Sequence, residues 1–536
     1  MMPNPGDDGI GATATEEGHR GALGAAVRVI LRNAAASWAG YLINIAIAFF
    51  LTPFVLRSLG DVRYGIWAIV MSLTGYYGLL DLGFRFGLTQ YLARYLAVKD
   101  FKALNQTAST GLLVLGSCGL LVVLGSLGLA AAFPHWWKLS PDNRYEAQCA
   151  IVLVGAGFAV QLTFFVYSSV FNATQRQDLA NAIALATRVF TAVATVLVLR
   201  AGYGLPALAL VIALGNVFEY LLRIPVAYKI LPELRIRLSN ASLKHARAFS
   251  AFGAASVLIQ IGNRLIFYSD ALVIGAAMPT AALAPFTLAS GLVTYFADLF
   301  TPIGWVLSPA FAAMNAKGET GNLRVLYVES TRVMALAVGV IGVVLAFAAN
   351  PFFRLWVGPG YLEQNAFGSA SLIFVTLLVA AAANATQRAG HQVFLGFMQP
   401  WQLARFVAGE AAVNLCLSIA LVRPMGLMGV ALGTMVPALF FNCLIVPRAA
   451  CRMAGTPFAA YLRRVFCRPL FAALLTVVAG LAFQRAVPDA GWGVLLARGA
   501  LIGVVGVIAA VAVGMTSEDR LRLVWGPLGR LRSRPG

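Results

Sequence analysis

The sequence predicts an all-α, polytopic membrane protein of about fourteen transmembrane helices, and three observations predict it. Of 536 residues, 60% are hydrophobic and 11% charged, where a soluble globular chain carries roughly 25% charge. Apolar stretches of roughly 20 residues, enough to cross a hydrocarbon core about 30 Å thick, recur from end to end. These stretches are continuously apolar, without the alternation over roughly ten residues that marks outer-membrane strands, so a barrel is excluded.

Bounded by charges, Pro or Gly, the spans are expected at 34–56, 64–84, 109–133, 149–172, 181–200, 204–224, 251–275, 283–311, 331–349, 368–388, 405–422, 426–446, 469–487 and 492–514. The first thirty residues are polar and the first apolar run is long, without a short apolar core and cleavage site, so span one is expected to be a retained anchor. The longest odd-numbered connection, around Pro134 to Gln148, is some fifteen residues, and the even ones are about as short, so no soluble catalytic domain fits. Pro53, Pro206, Pro225, Pro285, Pro302 and Pro309 fall in or beside spans, where neighbours can satisfy the carbonyls that proline frees. Span eight, with Pro302 and Pro309, is the expected moving helix. Cys118, Cys149, Cys416, Cys443, Cys451 and Cys467 show neither zinc spacing nor a disulfide framework and are expected to pack.

A net charge of +19 invites a nucleic-acid reading, but the distribution favours topology. The even-numbered connections carry 22 Lys and Arg, the odd ones 8, the two termini three and five, and Arg264 and Arg498 lie within spans. The even connections and both termini are therefore expected in the cytoplasm, against the anionic headgroups of the inner leaflet. No nucleic-acid partner is expected.

Self-similarity suggests two halves. Residues 204–210 read GLPALAL and 426–432 read GLMGVAL, an offset of 222 that also carries Pro225 onto Pro447. The expected organisation is a cytoplasmic N-terminal segment (1–33), an N-lobe of spans one to six (34–228), a basic linker (229–250), a C-lobe of spans seven to twelve (251–450), two accessory spans (451–514) and a basic tail (515–536).

The segment Leu51 to Asp100 is the least generic part of the chain. It contains LTPFVLRSLG followed by RYGIWAIVMSLTGYYGLLDLGFRFGLTQYLARYLAVKD. It resembles the opening of oligosaccharide flippases of the polysaccharide transporter family, Wzx-like relatives of the multidrug and toxin extrusion proteins in the multidrug/oligosaccharidyl-lipid/polysaccharide (MOP) exporter superfamily. The likeness rests on Pro53, Leu59, Gly60, Tyr64, Gly65 and Trp67, then on Leu80, Asp81, Leu82 and Gly83 closing span two. The resemblance implies two six-helix lobes around a cavity, plus two extra C-terminal helices. It also implies movement of undecaprenyl-pyrophosphate-linked repeat units across the bacterial inner membrane for O-antigen, capsule or exopolysaccharide assembly, with a polysaccharide polymerase as a partner.

Charges at membrane depth are costly, by about 2.5–3.5 kcal/mol on insertion scales, and mark functional candidates. Arg264, some thirteen residues into span seven, lies roughly 20 Å deep at 1.5 Å per residue. Its guanidinium suits a pyrophosphate, and the alternative is an ion pair with Asp270. Arg85 stands four after Asp81, so pairing on a helix face competes with a pyrophosphate contact; Arg188 in span five is a third candidate, with snorkelling as its alternative. Glu410 and Asn414 stand four apart in span eleven. With Thr434 and Asp270 they form a candidate sodium or proton site, against an interhelical hydrogen-bond pair that only holds the bundle. Asp298 and Glu219 are expected as arginine partners, and Tyr64, Tyr76 and Tyr77 as interfacial anchors or sugar platforms.

Three function classes compete: a lipid-linked oligosaccharide flippase, an ion-coupled multidrug antiporter, and a membrane glycan polymerase or ligase. A deep arginine disfavours the second. The third lacks an outward loop, and His19, His135, His245 and His391 are scattered without catalytic spacing. No GxxxxGK[ST] loop supports ATP hydrolysis, so no cofactor is expected beyond coupling to a Na+ or H+ gradient.

Overall fold

A computed structural model describes residues 8–80, 83–137, 139–242, 254–362, 368–486 and 491–514. Every described secondary-structure element is helical. Among the described residues, twelve helices are long and apolar enough to cross a membrane. Two of them are merged pairs: Gly40–Leu79 breaks at Gly60 (φ 73°, ψ 166°), and Pro400–Met453 breaks at Gly426 (φ 59°, ψ −139°). Counting each half gives twelve plus two, the expected fourteen. Glycine is needed at both breaks because side chains rarely adopt positive φ. Gly426 opens the GLMGVAL stretch as Gly204 caps the helix of GLPALAL.

Span eight divides as its prolines suggest. Leu283–Leu299 ends at Phe300, and a second helix, Thr301–Ala316, carries Pro302 in its first turn and Pro309 inside. The connection expected at Pro134 to Gln148 is shorter than fifteen residues. The preceding helix runs on to Trp136 and the next begins at Pro141. Pro134 has no N–H to offer Ala130, and the Gln148 side chain donates to that carbonyl instead, at 2.8 Å. With the carbonyl satisfied, the helix passes the proline.

The chain divides into two compact units: Met1–Ser58, Leu80–Ala132 and Arg144–Gly253; then Leu59–Leu79, Phe133–Asn143 and Ala254–Gly536. Within the first, small residues let helices approach. A Cβ on Gly157 would stand 2.7 Å from Ala213 Cα, and one on Gly215 would stand 2.5 Å from Thr191 Oγ1. The described part of the basic connection is clipped to the start of span three. Asn105 donates to the Glu233 carbonyl (2.9 Å) and accepts from Arg235 N–H (2.6 Å), while Ser109 and Thr110 accept from the N–H groups of Arg237 and Ser242.

Span two groups with the second unit because glycines on both sides of its packing face remove bulk. A Cβ on Gly65 would meet the Thr280 carbonyl, and one on Gly275 would meet Ile69. Beside the Gly60 break, Asp61 accepts the Tyr361 hydroxyl. Spans eleven and twelve press together where Gly429 faces Leu421 and Gly433 faces Ser418. The accessory spans dock on span nine through Leu336, Val340, Ala472, Ala509 and Ala510. They are also held by Tyr461, stacked on Tyr327 at 5.3 Å and bonded by Gln387. None of the six cysteines forms a disulfide, and Cys118 and Cys451 are buried.

Candidate functional site

The first group surrounds Arg264 in the second unit. Span two unwinds at Gly75 into a 3₁₀ turn, Tyr76–Leu79, so its last carbonyls lose their helical donors. Arg264 Nη1 supplies one, donating to the Gly75 carbonyl at 2.9 Å, and also reaches the Tyr268 hydroxyl at 3.3 Å. Two glycines make the fit: a Cβ on Gly75 would lie 2.6 Å from the Tyr268 ring, and one on Gly78 would lie 2.7 Å from Arg264 Nη2. The guanidinium also sits 5.5 Å from the Tyr268 centroid, and Tyr76 packs on that ring at 5.9 Å. The expected alternative, a pair with Asp270, is not formed; both hydrogen-bond acceptors are neutral. Among the described residues, the guanidinium therefore meets dipoles and no acid.

Asp270 belongs to a second group. Span seven approaches span eleven closely, Gly262 against Val407, and turns Asp270 toward the hairpin of spans eleven and twelve. Thr434 donates to Asp270 Oδ2 at 2.8 Å and Ser418 to Oδ1 at 3.4 Å; Asn414 Nδ2 donates to Thr434 Oγ1 at 2.9 Å. Asp270 is 5% exposed and Asn414 1%, and Asn414 Oδ1 has no hydrogen-bond partner. A buried carboxylate bonded to hydroxyls beside an orphaned amide oxygen is costly as it stands. It is also a set of hard oxygen donors.

Glu410, expected in that set, is not in it. Its two oxygens both accept from Asn442 Nδ2, at 3.2 Å each. Asn442 sits in a π-helical turn, Phe441–Ile445, which widens the helix and rotates this side chain. Asp298 has Arg388 as its charged neighbour, in keeping with an arginine-partner role.

The third group is a cavity of about 250 Å³ inside the first unit, lined by Arg85, Gln161, Ser168, Asn181, Glu219 and Arg223 among others. Arg85 stands over Phe165, 4.7 Å from its centroid. Its expected partner Asp81 lies outside the described residues, and Gly83, at φ 78°, caps the helix Phe84–Ala97 that carries Arg85. Arg223 binds Glu219 at 2.8 Å and Ser168 at 3.2 Å, which answers the expectation for Glu219. Arg188 is exposed on span five, away from this lining. Tyr64 and Tyr77 are buried, which leaves Tyr76 as the half-buried member of the three.

Sequence reasoning missed Tyr268, Ser418, Asn442 and Arg223. Three carried a signal: Tyr268, Ser418 and Arg223 each stand four residues after Arg264, Asn414 and Glu219. Of the carboxamides lining the cavity, Gln177 and Asn181 stand four apart on one helix and carried the same signal, whereas Gln161 and Asn172 come from two other helices and carried none.

Residues 30–315 match the family model for polysaccharide biosynthesis proteins. Over 498 residues the chain is 20% identical to EpsK, an uncharacterized membrane protein of Bacillus subtilis (strain 168), across 91% of this chain and 96% of that one. It is 21% identical over 367 residues to a protein of Shigella flexneri described as an O-antigen transporter, across 66% and 82%. The fold superposes on the lipid II flippase MurJ in its inward closed conformation, with TM-score 0.67, 13% identity, and 90% and 98% coverage.

Proposed function

The chain belongs to the polysaccharide biosynthesis protein family, and from that premise we propose that it is a flippase carrying undecaprenyl-pyrophosphate-linked oligosaccharide units across the bacterial inner membrane by alternating access, for surface polysaccharide assembly. It is a multi-pass membrane protein. In this reading the even connections and both termini face the cytoplasm, and the protein transports rather than catalyses.

Arg264 is the observation that carries the proposal. A guanidinium offers five N–H donors in a planar fork that matches phosphate oxygens. Its partners among the described residues are a carbonyl and a phenol, which orient it without neutralising it, with the Tyr76 and Tyr268 rings beside it as apolar faces. Binding a diphosphate against such a donor in a low-dielectric setting is favourable in a way that the same contact in water is not.

Uphill transport needs an ion gradient, and Asp270, Asn414, Ser418 and Thr434 fit a small monovalent cation. They would hold it through one carboxylate, one amide oxygen and two hydroxyls, and a bound cation supplies the positive charge that the Asp270 carboxylate lacks.

The test is flipping of a fluorescent undecaprenyl-pyrophosphate oligosaccharide in proteoliposomes, comparing wild type, Arg264→Ala and Arg485→Ala, an exposed arginine in span thirteen. Loss confined to Arg264→Ala, with normal folding, is expected. Full activity in both variants removes Arg264 from the mechanism, and no wild-type flipping of several glycans sinks the flippase reading.

A further inference from the structure

We propose that the start of span thirteen is a seat for one anionic phospholipid of the inner leaflet, its phosphate on Arg463, Arg464 and Arg468 and one acyl chain along the apolar face below them. The proposal stands on the second unit alone and does not depend on which glycan is carried.

The backbone gathers the arginines. On a regular α-helix Arg463 and Arg468, five positions apart, would point about 140° away from each other at 3.6 residues per turn. The π-turn Arg463–Cys467, whose hydrogen bonds run from i to i+5, widens the turn and brings the two toward one side. All three arginines are exposed, while Val465 and Pro469 turn inward and are buried. The turn is also anchored. Val465 and Tyr461 belong to the core of the second unit, and the Tyr461 ring stacks on Phe458 at 6.3 Å and meets Phe466 edge-on at 6.4 Å. A seat whose backbone is held before its ligand arrives gives up little freedom on binding.

Charge and apolar surface then point to the same ligand. No acidic residue stands between Glu410 and Asp489 in the sequence. Among the described residues none of the three arginines forms an ion pair, whereas Arg176, Arg223 and Arg332 do. Guanidinium forks match the oxygens of a phosphate. Below them the exposed face carries Phe471, Leu474, Leu475 and Val478, each 36–57% exposed, and spacings of three and four keep these on one side of the helix. The ten positions from Arg468 to Val478 rise about 15 Å at 1.5 Å per residue, half of a hydrocarbon core about 30 Å thick. That is the depth of one leaflet. Orienting a span requires only that Lys and Arg lie near its inner end; it does not call for three arginines gathered over an apolar strip of leaflet length.

The experiment measures, by native mass spectrometry of the full-length protein released from detergent, the affinities for palmitoyl-oleoyl phosphatidylglycerol and for the matching phosphatidylcholine. Wild type is expected to hold one phosphatidylglycerol about tenfold more tightly than phosphatidylcholine. Arg463→Gln/Arg464→Gln brings that ratio toward one. The control, Arg448→Gln/Arg452→Gln, removes the same charge from the same connection at two exposed positions on the preceding helix Val446–Met453, and keeps the ratio. Equal loss in the two double variants means a diffuse attraction of the inner surface for anions and overturns the seat, as does a wild-type ratio of one. Glycerophosphoglycerol, the headgroup without its chains, is expected not to displace the lipid at tenfold excess; displacement assigns the arginines to soluble phosphates and also overturns the proposal. Each variant is first checked for an unchanged Tm in phosphatidylcholine. Should the Arg463/Arg464 variant fail to fold, Arg468→Gln alone carries the test, with an expected fall in the ratio of about threefold; an unchanged ratio there overturns the seat.

Discussion

At the scale of single residues, the Asp270 group and Glu410 make a direct comparison. Both carboxyls are buried, at 5% and 6% exposed, yet their surroundings differ. Asp270 faces hydroxyls and lies beside the unpartnered Asn414 oxygen, whereas Glu410 is bonded on both oxygens by one amide. On the proposed cation coupling, Asp270→Asn is therefore expected to abolish any sodium stimulation of flipping, measured by a salt titration of the rate, while Glu410→Gln keeps it. Ser418→Ala should weaken the stimulation less than Thr434→Val, because the serine bond is 3.4 Å long and the threonine bond 2.8 Å. The reverse order, with Glu410→Gln the damaging change, moves the cation to Glu410. The four-residue spacing of Glu410 and Asn414 was visible in the sequence. That the π-turn at Phe441–Ile445 would bring Asn442 to Glu410 was not, because a π-turn depends on how the next helix packs and leaves no periodic mark.

At the scale of helices, glycine decides which spans touch. Gly429 and Gly433 put the backbone of span twelve against Leu421 and Ser418 of span eleven; an added Cβ would lie 2.1 Å from Leu421 O and 2.7 Å from Ser418 N. Backbone cannot step aside as a side-chain tip can, so Gly433→Ala and Gly429→Ala should each cost about 1–3 kcal/mol of stability through overpacking. Gly433→Ala should also unseat Ser418 from Asp270. Gly125 in span three has nothing within 4 Å, and Gly125→Ala should be neutral or stabilising by about 0.5–1 kcal/mol. Thermal unfolding in detergent orders the three; equal Tm values would mean that the hairpin is more loosely packed than described. The sequence shows where glycines fall, and at Gly60 and Gly426 that includes the breaks. It does not show which glycine meets a partner, since that depends on how the helices pack, whether the neighbour is the next span, as for Gly433 and Ser418, or one far along the chain, as for Gly65 and Thr280.

At the scale of the whole molecule, the number and placement of the spans followed from hydropathy alone, because in lipid every span must be long, apolar and helical. Loop lengths were less legible: the stretch at Pro134 to Gln148 is mostly helix, since a distant glutamine replaces the donor that proline removes. The charge distribution predicts orientation, and cysteines introduced into an otherwise cysteine-free chain test it. A cysteine at Ser140 should react with an impermeant maleimide added outside intact cells, and one at Arg235 only after lysis. The opposite labelling inverts the topology. The cavity was the least legible feature, since the four-residue spacings of Glu219 with Arg223 and Gln177 with Asn181 do not show that these helices meet. Arg264, by contrast, announced itself by sequence alone, and its neutral partners give it a further property. A positive charge whose partners among the described residues are a carbonyl and a phenol responds to the electrical potential across the membrane, and each elementary charge moved through the whole of 100 mV is worth about 2.3 kcal/mol. Any rearrangement that carries Arg264 along the membrane normal therefore does electrical work, so the energised state of the cell would bias the conformational cycle even with no substrate bound.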